Sequence, residues 1–288
     1  MGFAFNSVVE EIEVKEKRWT KEYEAHIQRN IGILTKDQQE SIRKSKIVMM
    51  GMGGIGSPCY ESLVRSGVEN FSLVDRDKFD ATNLNRQIFA FRSTLGKRKI
   101  DVAEQFAMDI NPSIKIEKYD YVDENNIDEI LLNADVIVQA IDEVKPWIVA
   151  SRRARELKIP MVEGWALSCG NVRVFTENTI SLEEAYELPT IGRNIEDFCE
   201  EEYRSMGLKA ILGLAKRIEG VSDFCTEEVI EKIKRGINTS FGPMVWFTSA
   251  IMVMETIKLI LDWGDIAYAP DFRLYDPIEH RIPRIVSK

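Results

Sequence analysis

Four glycines, Gly51, Gly53, Gly54 and Gly56, fall within six residues directly after the apolar run Ile47–Met50. Residues without a Cβ let backbone N–H groups approach a phosphate, and a helix starting there offers its positive end to the same anion. Close strand–helix packing also asks for glycine, so the turn alone leaves nucleotide binding and mere packing open. Asp75 ends a second apolar run about 20 residues on, where dinucleotide-binding sheets set an acid against ribose hydroxyls. Asp77 shares its loop and serves either the ribose or the turn. Thr82-Asn-Leu-Asn-Arg-Gln87 then gathers amides and a guanidinium. Arg86 can grip phosphate oxygens through two N–H groups, and the amides of Asn83 and Gln87 can bond sugar or phosphate. Lys99, closing Gly96-Lys-Arg-Lys99, can neutralise a phosphate. Asp142 ends a fourth apolar run; a lone carboxylate beside a triphosphate suits magnesium, and helix capping ahead of Pro146 is the plainer alternative. Each of these residues also has an ordinary reading, as a solvated strand end, a polar loop or a charged helix face.

Positioning them requires alternating strands and helices. The spacing predicts helices near 23–29 and after the cap Thr35, then a strand over 46–51, a helix over 57–66 closed by Gly67, and a strand over 70–75. Further on it predicts a helix over 97–109, a strand over 114–121, a helix over 124–132 and a strand over 134–141. A helix over 146–157 and a strand over 160–163 complete the alternation. Such a pattern implies an α/β fold, a doubly wound, mostly parallel Rossmann-like sheet with right-handed crossovers. After Gly164 the character changes. Asn171–Phe175 reads as a strand, residues 181–235 as acidic helices, Gly242-Pro243 opens an apolar helix to Ile260, and residues 272–277 read as a closing strand. We expect one domain over 1–288: a helical arm (1–45), a nucleotide-binding core (46–176), a helical insertion (177–235), and a C-terminal helix and strand (236–288).

The chain has 288 residues, 44% apolar and 30% charged, which is ample for a large core. A net charge of −9 without a basic cluster speaks against nucleic-acid binding. No uncharged run is long enough to cross a membrane, since 243–261 carries Glu255 and Lys258, and no secretory signal opens the chain. A cytoplasmic location is expected. Cys59, Cys169, Cys199 and Cys225 form no CxxC pair, so no zinc is expected.

Taken in order, Gln28-Arg29-Asn30, Gly51–Gly56, Asp75-Arg-Asp77, Asn83–Gln87, Gly96–Lys99, Asn111-Pro112, Asp142, the Gly242-Pro243 helix and Leu274-Tyr-Asp276 make a specific set. The sequence resembles the ThiF/MoeB/HesA family, the bacterial relatives of ubiquitin-activating enzymes, over roughly residues 23–176 and 236–282. The resemblance implies an ATP- and magnesium-dependent adenylyltransferase. Its substrate would be the C-terminal carboxylate of a small ubiquitin-like sulfur-carrier protein or a peptide, activated as an acyl-adenylate with release of pyrophosphate. It further implies that Asp75 holds the ribose with Gly54 close to the nucleotide, that Asn83, Arg86 and Lys99 line the phosphates, and that Asp142 binds the metal. Arg29 matches the family's arginine that reaches the neighbouring subunit's phosphates, which implies a homodimer. There are departures. The segment after Asp142 lacks the family's second basic residue unless Lys145 replaces it, and neither Cys199 nor Cys225 follows the pattern of a thioester-forming cysteine. The insertion is expected to set substrate specificity. Modification of a ribosomal peptide or a tRNA base, an NAD-dependent oxidoreductase sharing Gly51, Gly53, Gly56 and Asp75, and a non-catalytic scaffold are the alternatives.

Overall fold

The run Ile47, Val48, Met49, Met50 is buried on both faces, as a central parallel strand requires. It forms strand β1 (Lys46–Met50) in a seven-stranded sheet with β2 (Asn70–Val74), β3 (Lys115–Tyr119), β4 (Val136–Gln139), β5 (Met161–Gly164), β6 (Gly170–Phe175) and β7 (Arg273–Tyr275). The order is β3-β2-β1-β4-β5-β6-β7. The first five pair in parallel, while β5–β6 and β6–β7 are antiparallel. The doubly wound, mostly parallel sheet read from the sequence is therefore present. The computed structural model describes residues 19–165, 169–219, 226–235, 237 and 239–283. Residues 1–18 of the helical arm expected over 1–45 lie outside them, as does Cys225, while the rest of the arm carries two helices.

Ten helices are described: α1 (Lys21–Ile27), α2 (Lys36–Lys44), α3 (Gly56–Arg65), α4 (Lys99–Ile110), α5 (Ile127–Ile130), α6 (Val144–Leu157), α7 (Leu182–Ala185), α8 (Glu200–Arg217), α9 (Glu227–Lys234) and α10 (Gly242–Leu261). Thr35 caps α2 through a reciprocal pair with Gln38. Several boundaries moved from their expected places, three of them for an evident local reason. The helix expected over 124–132 shrinks to α5, because the Asp123 carboxylate accepts from the N–H groups of Asn125 and Asn126 and turns the chain first. The helix expected from 146 begins at Val144, and Pro146 sits in its first turn, where no N–H is needed. The helix expected from 97 begins at Lys99, because Lys97 and Arg98 are tied to the preceding loop.

Side-chain alternation along β1 divides the core. Ile47 and Met49 pack with β2, α3, α4 and α10, whereas Val48 and Met50 pack with β4, α6 and α8. The segment expected as an insertion contributes Tyr203, Met206, Ala210 and Leu214 of α8, one helical stripe, to that second layer. Its acids are partly tied to the chain itself. Glu183 makes a bidentate pair with Arg152, Glu196 pairs with Lys145, and Glu187 with Arg217. Helix α10 is long and apolar enough to cross a membrane by length and composition, yet it packs on β5, β6 and α3 with Glu255 buried against Lys258.

Candidate nucleotide site

Strand order reverses between β1 and β4, and in open α/β sheets the crevice at such a point, beyond the strands' C-terminal ends, takes the ligand. The glycine turn fills one wall. Gly51 has φ +95°, and a Cβ there would lie 2.6 Å from the Ala140 carbonyl oxygen, so the turn is pressed against the segment leaving β4. A Cβ on Gly56 would lie 1.8 Å from the Gly51 carbonyl oxygen. Gly53 and Gly54 are less confined; Gly54 faces the Arg86 stem, and Gly53 has only the Gln87 amide nitrogen nearby, at 3.9 Å. Ile55 caps α3 without a side-chain hydrogen bond, leaving the helix's positive end toward the turn.

Asp75 adjoins the turn at the end of β2. Its Oδ2 accepts from the Met52 N–H and its Oδ1 from the Asp77 N–H, both at 2.8 Å. A carboxylate offers about four acceptor sites, so two remain for ribose hydroxyls. Burial pushes this carboxyl above its ordinary range, against the nearby Lys99 ammonium and those two N–H groups. Lys99, the first residue of α4, donates to Asp77 Oδ2 at 2.8 Å and lies 3.7 Å from Asp75 Oδ2. It is almost wholly buried, so its charge is held at the crevice rather than in water.

The polar loop is built from side chains that cap one another. Asp80 accepts from Thr82, and Asn83 Oδ1 accepts from the Asp80 N–H, which commits the buried Asn83 to closing a short 3-10 turn. Arg86 donates to the Thr82 carbonyl and to Asn85 Oδ1, both at 2.8 Å, with its stem across Gly54. Gln87 is buried, and its Oε1 has no partner. Helix α10 holds this loop from behind. Trp246 Nε1 donates to the Arg86 carbonyl at 2.7 Å, and Gly242 is required because a Cβ there would lie 2.6 Å from the Asn85 carbonyl oxygen. Sequence reading missed Trp246 as a support for Arg86; only the Gly242-Pro243 pair marks the place.

Asp142 lies exposed two residues past Ala140, beside the glycine turn. The cap of α6 is Glu143, so Asp142 is not that helix's cap. Lys145, the candidate second basic residue, instead turns toward the insertion and pairs with Glu196 at 2.7 Å. The structure thus brings Gly51, Gly53, Gly54, Gly56, Asp75, Asp77, Asn83, Arg86, Gln87, Lys99 and Asp142 around one crevice. Arg29 is apart. It is exposed, after α1, in a segment fastened to Arg65 and Ser66 through His26 and Asn30. That is the far end of α3, about 15 Å along the helix from the glycine turn. Burial pushes the Cys59 thiol up to about 12 and Cys169 up to about 11, so both stay protonated near neutrality. Cys199 is exposed ahead of α8. Among the described residues no three His, Cys, Asp or Glu side chains gather as a metal cage.

Comparison with known proteins bears on the family and the fold. The model of the ThiF family matches residues 26–287. Molybdopterin-synthase adenylyltransferase of Haemophilus influenzae is 32% identical over 142 residues, 49% of this chain and 58% of that protein. The tRNA threonylcarbamoyladenosine dehydratase of Bacillus subtilis is 33% identical over 136 residues, 46% of this chain and 54% of that protein. The matched stretch thus spans little more than half the length of these relatives. In fold, the chain is similar to the E. coli tRNA N6-threonylcarbamoyladenosine dehydratase solved in complex with AMP, with a TM-score of 0.60 and 20% identity over 84% of this chain and 97% of that one.

Proposed function

The chain belongs to the ThiF family, and from that premise we propose that it is an ATP-dependent adenylyltransferase that activates a carboxylate as an acyl-adenylate. The acceptor we assign is the C-terminal carboxylate of a small ubiquitin-like sulfur-carrier protein or a peptide. Among the relatives, one is named an adenylyltransferase of molybdopterin synthase and another a sulfur carrier protein adenylyltransferase. Others are tRNA dehydratases, but the net charge of −9 favours a protein or peptide over a polyanion. The observation that carries the reading is the convergence of buried Lys99, Arg86, the open glycine turn and Asp75 on one crevice. A nicotinamide site needs the glycines and the acid but not this cationic loop.

In the reaction we assign, a carboxylate oxygen attacks the α-phosphorus of ATP, the bond to the bridging oxygen breaks, and pyrophosphate carries away the electron pair. Little covalent work falls to the protein; alignment and neutralisation of charge on the phosphates remain. Asp75 would fix the ribose. The N–H groups of the glycine turn would set the phosphates, while Lys99 and Arg86, with the Asn83 and Gln87 amides behind them, would stabilise the charge that gathers as pyrophosphate leaves. A single exposed carboxylate fits magnesium only as an ion shared with phosphate oxygens, so Asp142 would hold it together with the nucleotide. When bound, the ion would supply charge neutralisation between phosphates. Arg29 points the same way, since its distance from the crevice of its own chain suits service to a neighbouring subunit in a homodimer. A cytoplasmic location accompanies this proposal. Exchange of radiolabelled pyrophosphate into ATP, driven by the peptide and small-protein fraction of a cell extract, tests it. Exchange that depends on that fraction is expected, and ATP splitting to ADP without exchange would sink it.

A further inference from the structure

Beside the last turns of α6 lies a cavity of about 230 Å³. Its other walls come from Ile159 and Met161 at the start of β5, Phe175 and Thr176 at the end of β6, and Ser181 and Leu182 at the start of α7. Met161 opens β5 opposite Phe175, the last residue of its antiparallel neighbour, so the cavity sits at the edge of the sheet away from the crevice. Along α6 it is about 15–20 Å from Asp142. We propose that this cavity binds a small monocarboxylic acid with an apolar body, its carboxylate on Arg155 and its body against Ile159, Met161, Phe175 and Leu182. This site is separate from the adenylation crevice and stands or falls without it.

Charge and hydrogen bonding define the occupant. The charged side chains lining the cavity are Arg152, Arg155, Glu156 and Glu183. Both oxygens of Glu183 accept from Arg152, and the Thr190 hydroxyl donates to it as well. Arg152 is further spent on the Thr190 and Arg193 carbonyls. Glu156 accepts from Arg153 at 2.6 Å. Glu184 feels the Arg155 charge, but its carboxylate accepts from the Ser181 N–H at 2.6 Å instead. Among the described residues Arg155 pairs with no carboxylate. It is half-buried and donates once, to the Thr176 carbonyl at 2.8 Å, which leaves most of its N–H donors for a ligand. The Thr176 and Ser181 hydroxyls accept from the Asn178 and Glu184 N–H groups and keep their hydrogens to give. The cavity thus offers donors around one unmatched positive charge. A carboxylate complements them, because its two oxygens accept together from an arginine fork. An ammonium would meet a like charge, and a neutral amide would leave the guanidinium charge unmatched. An inorganic anion would satisfy Arg155 but leave the apolar walls to water. At about 30 Å³ per water, the volume equals about eight waters, the bulk of a short-chain or aromatic acid.

The ten methionines, labelled at the methyl carbon, report the two places separately in NMR. Met161→Leu identifies the signal at the cavity, and Met52→Leu the one next to Asp75 at the crevice. The protein is titrated with phenylacetate, phenylacetamide and acetate. We expect the Met161 signal to move saturably with phenylacetate, about tenfold more tightly than with the amide or with acetate, while the Met52 signal stays in place. Arg155→Gln, which keeps a donor for the Thr176 carbonyl, should remove the preference for the acid over the amide, and Arg155→Lys should keep part of it. The proposal is overturned by no saturable movement of Met161, by equal affinity for acid and amide, or by a preference that survives Arg155→Gln. Movement of Met52 in place of Met161 would put the acid in the crevice and likewise overturn it.

Discussion

Lys99 and Asp142 carry the sharpest expectations at the scale of single residues. Lys99 brings a buried positive charge to where charge gathers on the leaving phosphates, so Lys99→Met should lower pyrophosphate exchange by about 10²–10³-fold. Asp142 is exposed and off the helix cap, so Asp142→Asn should leave stability within about 0.5 kcal/mol while abolishing the magnesium dependence of exchange. Paired chemical denaturation and exchange assays check both; a large stability loss in Asp142→Asn would make that residue structural. Most of the crevice was legible in the sequence, because glycines after an apolar run, an acid at the next strand end and a guanidinium loop each follow from local chemistry. Trp246 was not legible as the support of Arg86, because the two stand 160 residues apart in the chain and meet only where α10 closes on the loop.

At the scale of elements, two joints hold the crevice in shape. The first is the strand–turn–helix. Gly56→Ala would drive a Cβ into the Gly51 carbonyl, and relief would have to part β1 from α3. A loss of several kcal/mol, or insoluble expression, is expected for this variant, with Gly53→Ala near wild type as the control. The second joint is α2, which packs beneath the glycine-turn helix through α1. Glu40 accepts from Arg43 and Trp19 and lies 3.1 Å from Lys44, and these bonds, Arg43 foremost, hold its carboxyl well below the usual range, at about 2. A folded pKa below the unfolded one means stability that is present above about pH 4.3 and lost as pH falls toward 2. Glu40→Gln should cost on the order of 2 kcal/mol at neutral pH and flatten the acid limb of the stability curve in that window. An unchanged acid limb would contradict it. Element boundaries were less legible than their existence, since Asp123, Pro146 and the Lys78–Arg98 bridge shift helix starts by bonds that periodicity does not show.

At the scale of the whole molecule, α/β class and sheet direction followed from alternation alone, but the placement of the acidic helices did not. Their charge reads as a separate surface unit, whereas the stripe Tyr203, Met206, Ala210 and Leu214 binds α8 into the second core layer. That stripe interleaves with charged residues, so composition hides it. Arg29 is the remaining question at this scale, because it stands far from the crevice of its own chain. If it serves a neighbouring copy, Arg29→Ala and Lys99→Met proteins should each be inactive, and mixing them under subunit exchange should restore about a quarter of wild-type exchange activity, on the order expected for one intact site per mixed dimer. Absence of any recovery, with mixed dimers present, would mean that Arg29 does not serve the neighbouring copy.

The central claim is that a substrate carboxylate attacks the α-phosphorus, and oxygen labelling reads it directly. A responsive peptide or carrier is labelled with heavy oxygen in its C-terminal carboxylate, incubated with ATP and magnesium, and the product nucleotide is analysed by mass spectrometry. The account predicts AMP carrying one labelled oxygen, because hydrolysis of the acyl-adenylate at its carbonyl leaves the former carboxylate oxygen on phosphorus. Unlabelled AMP, or ADP as the product, would contradict it.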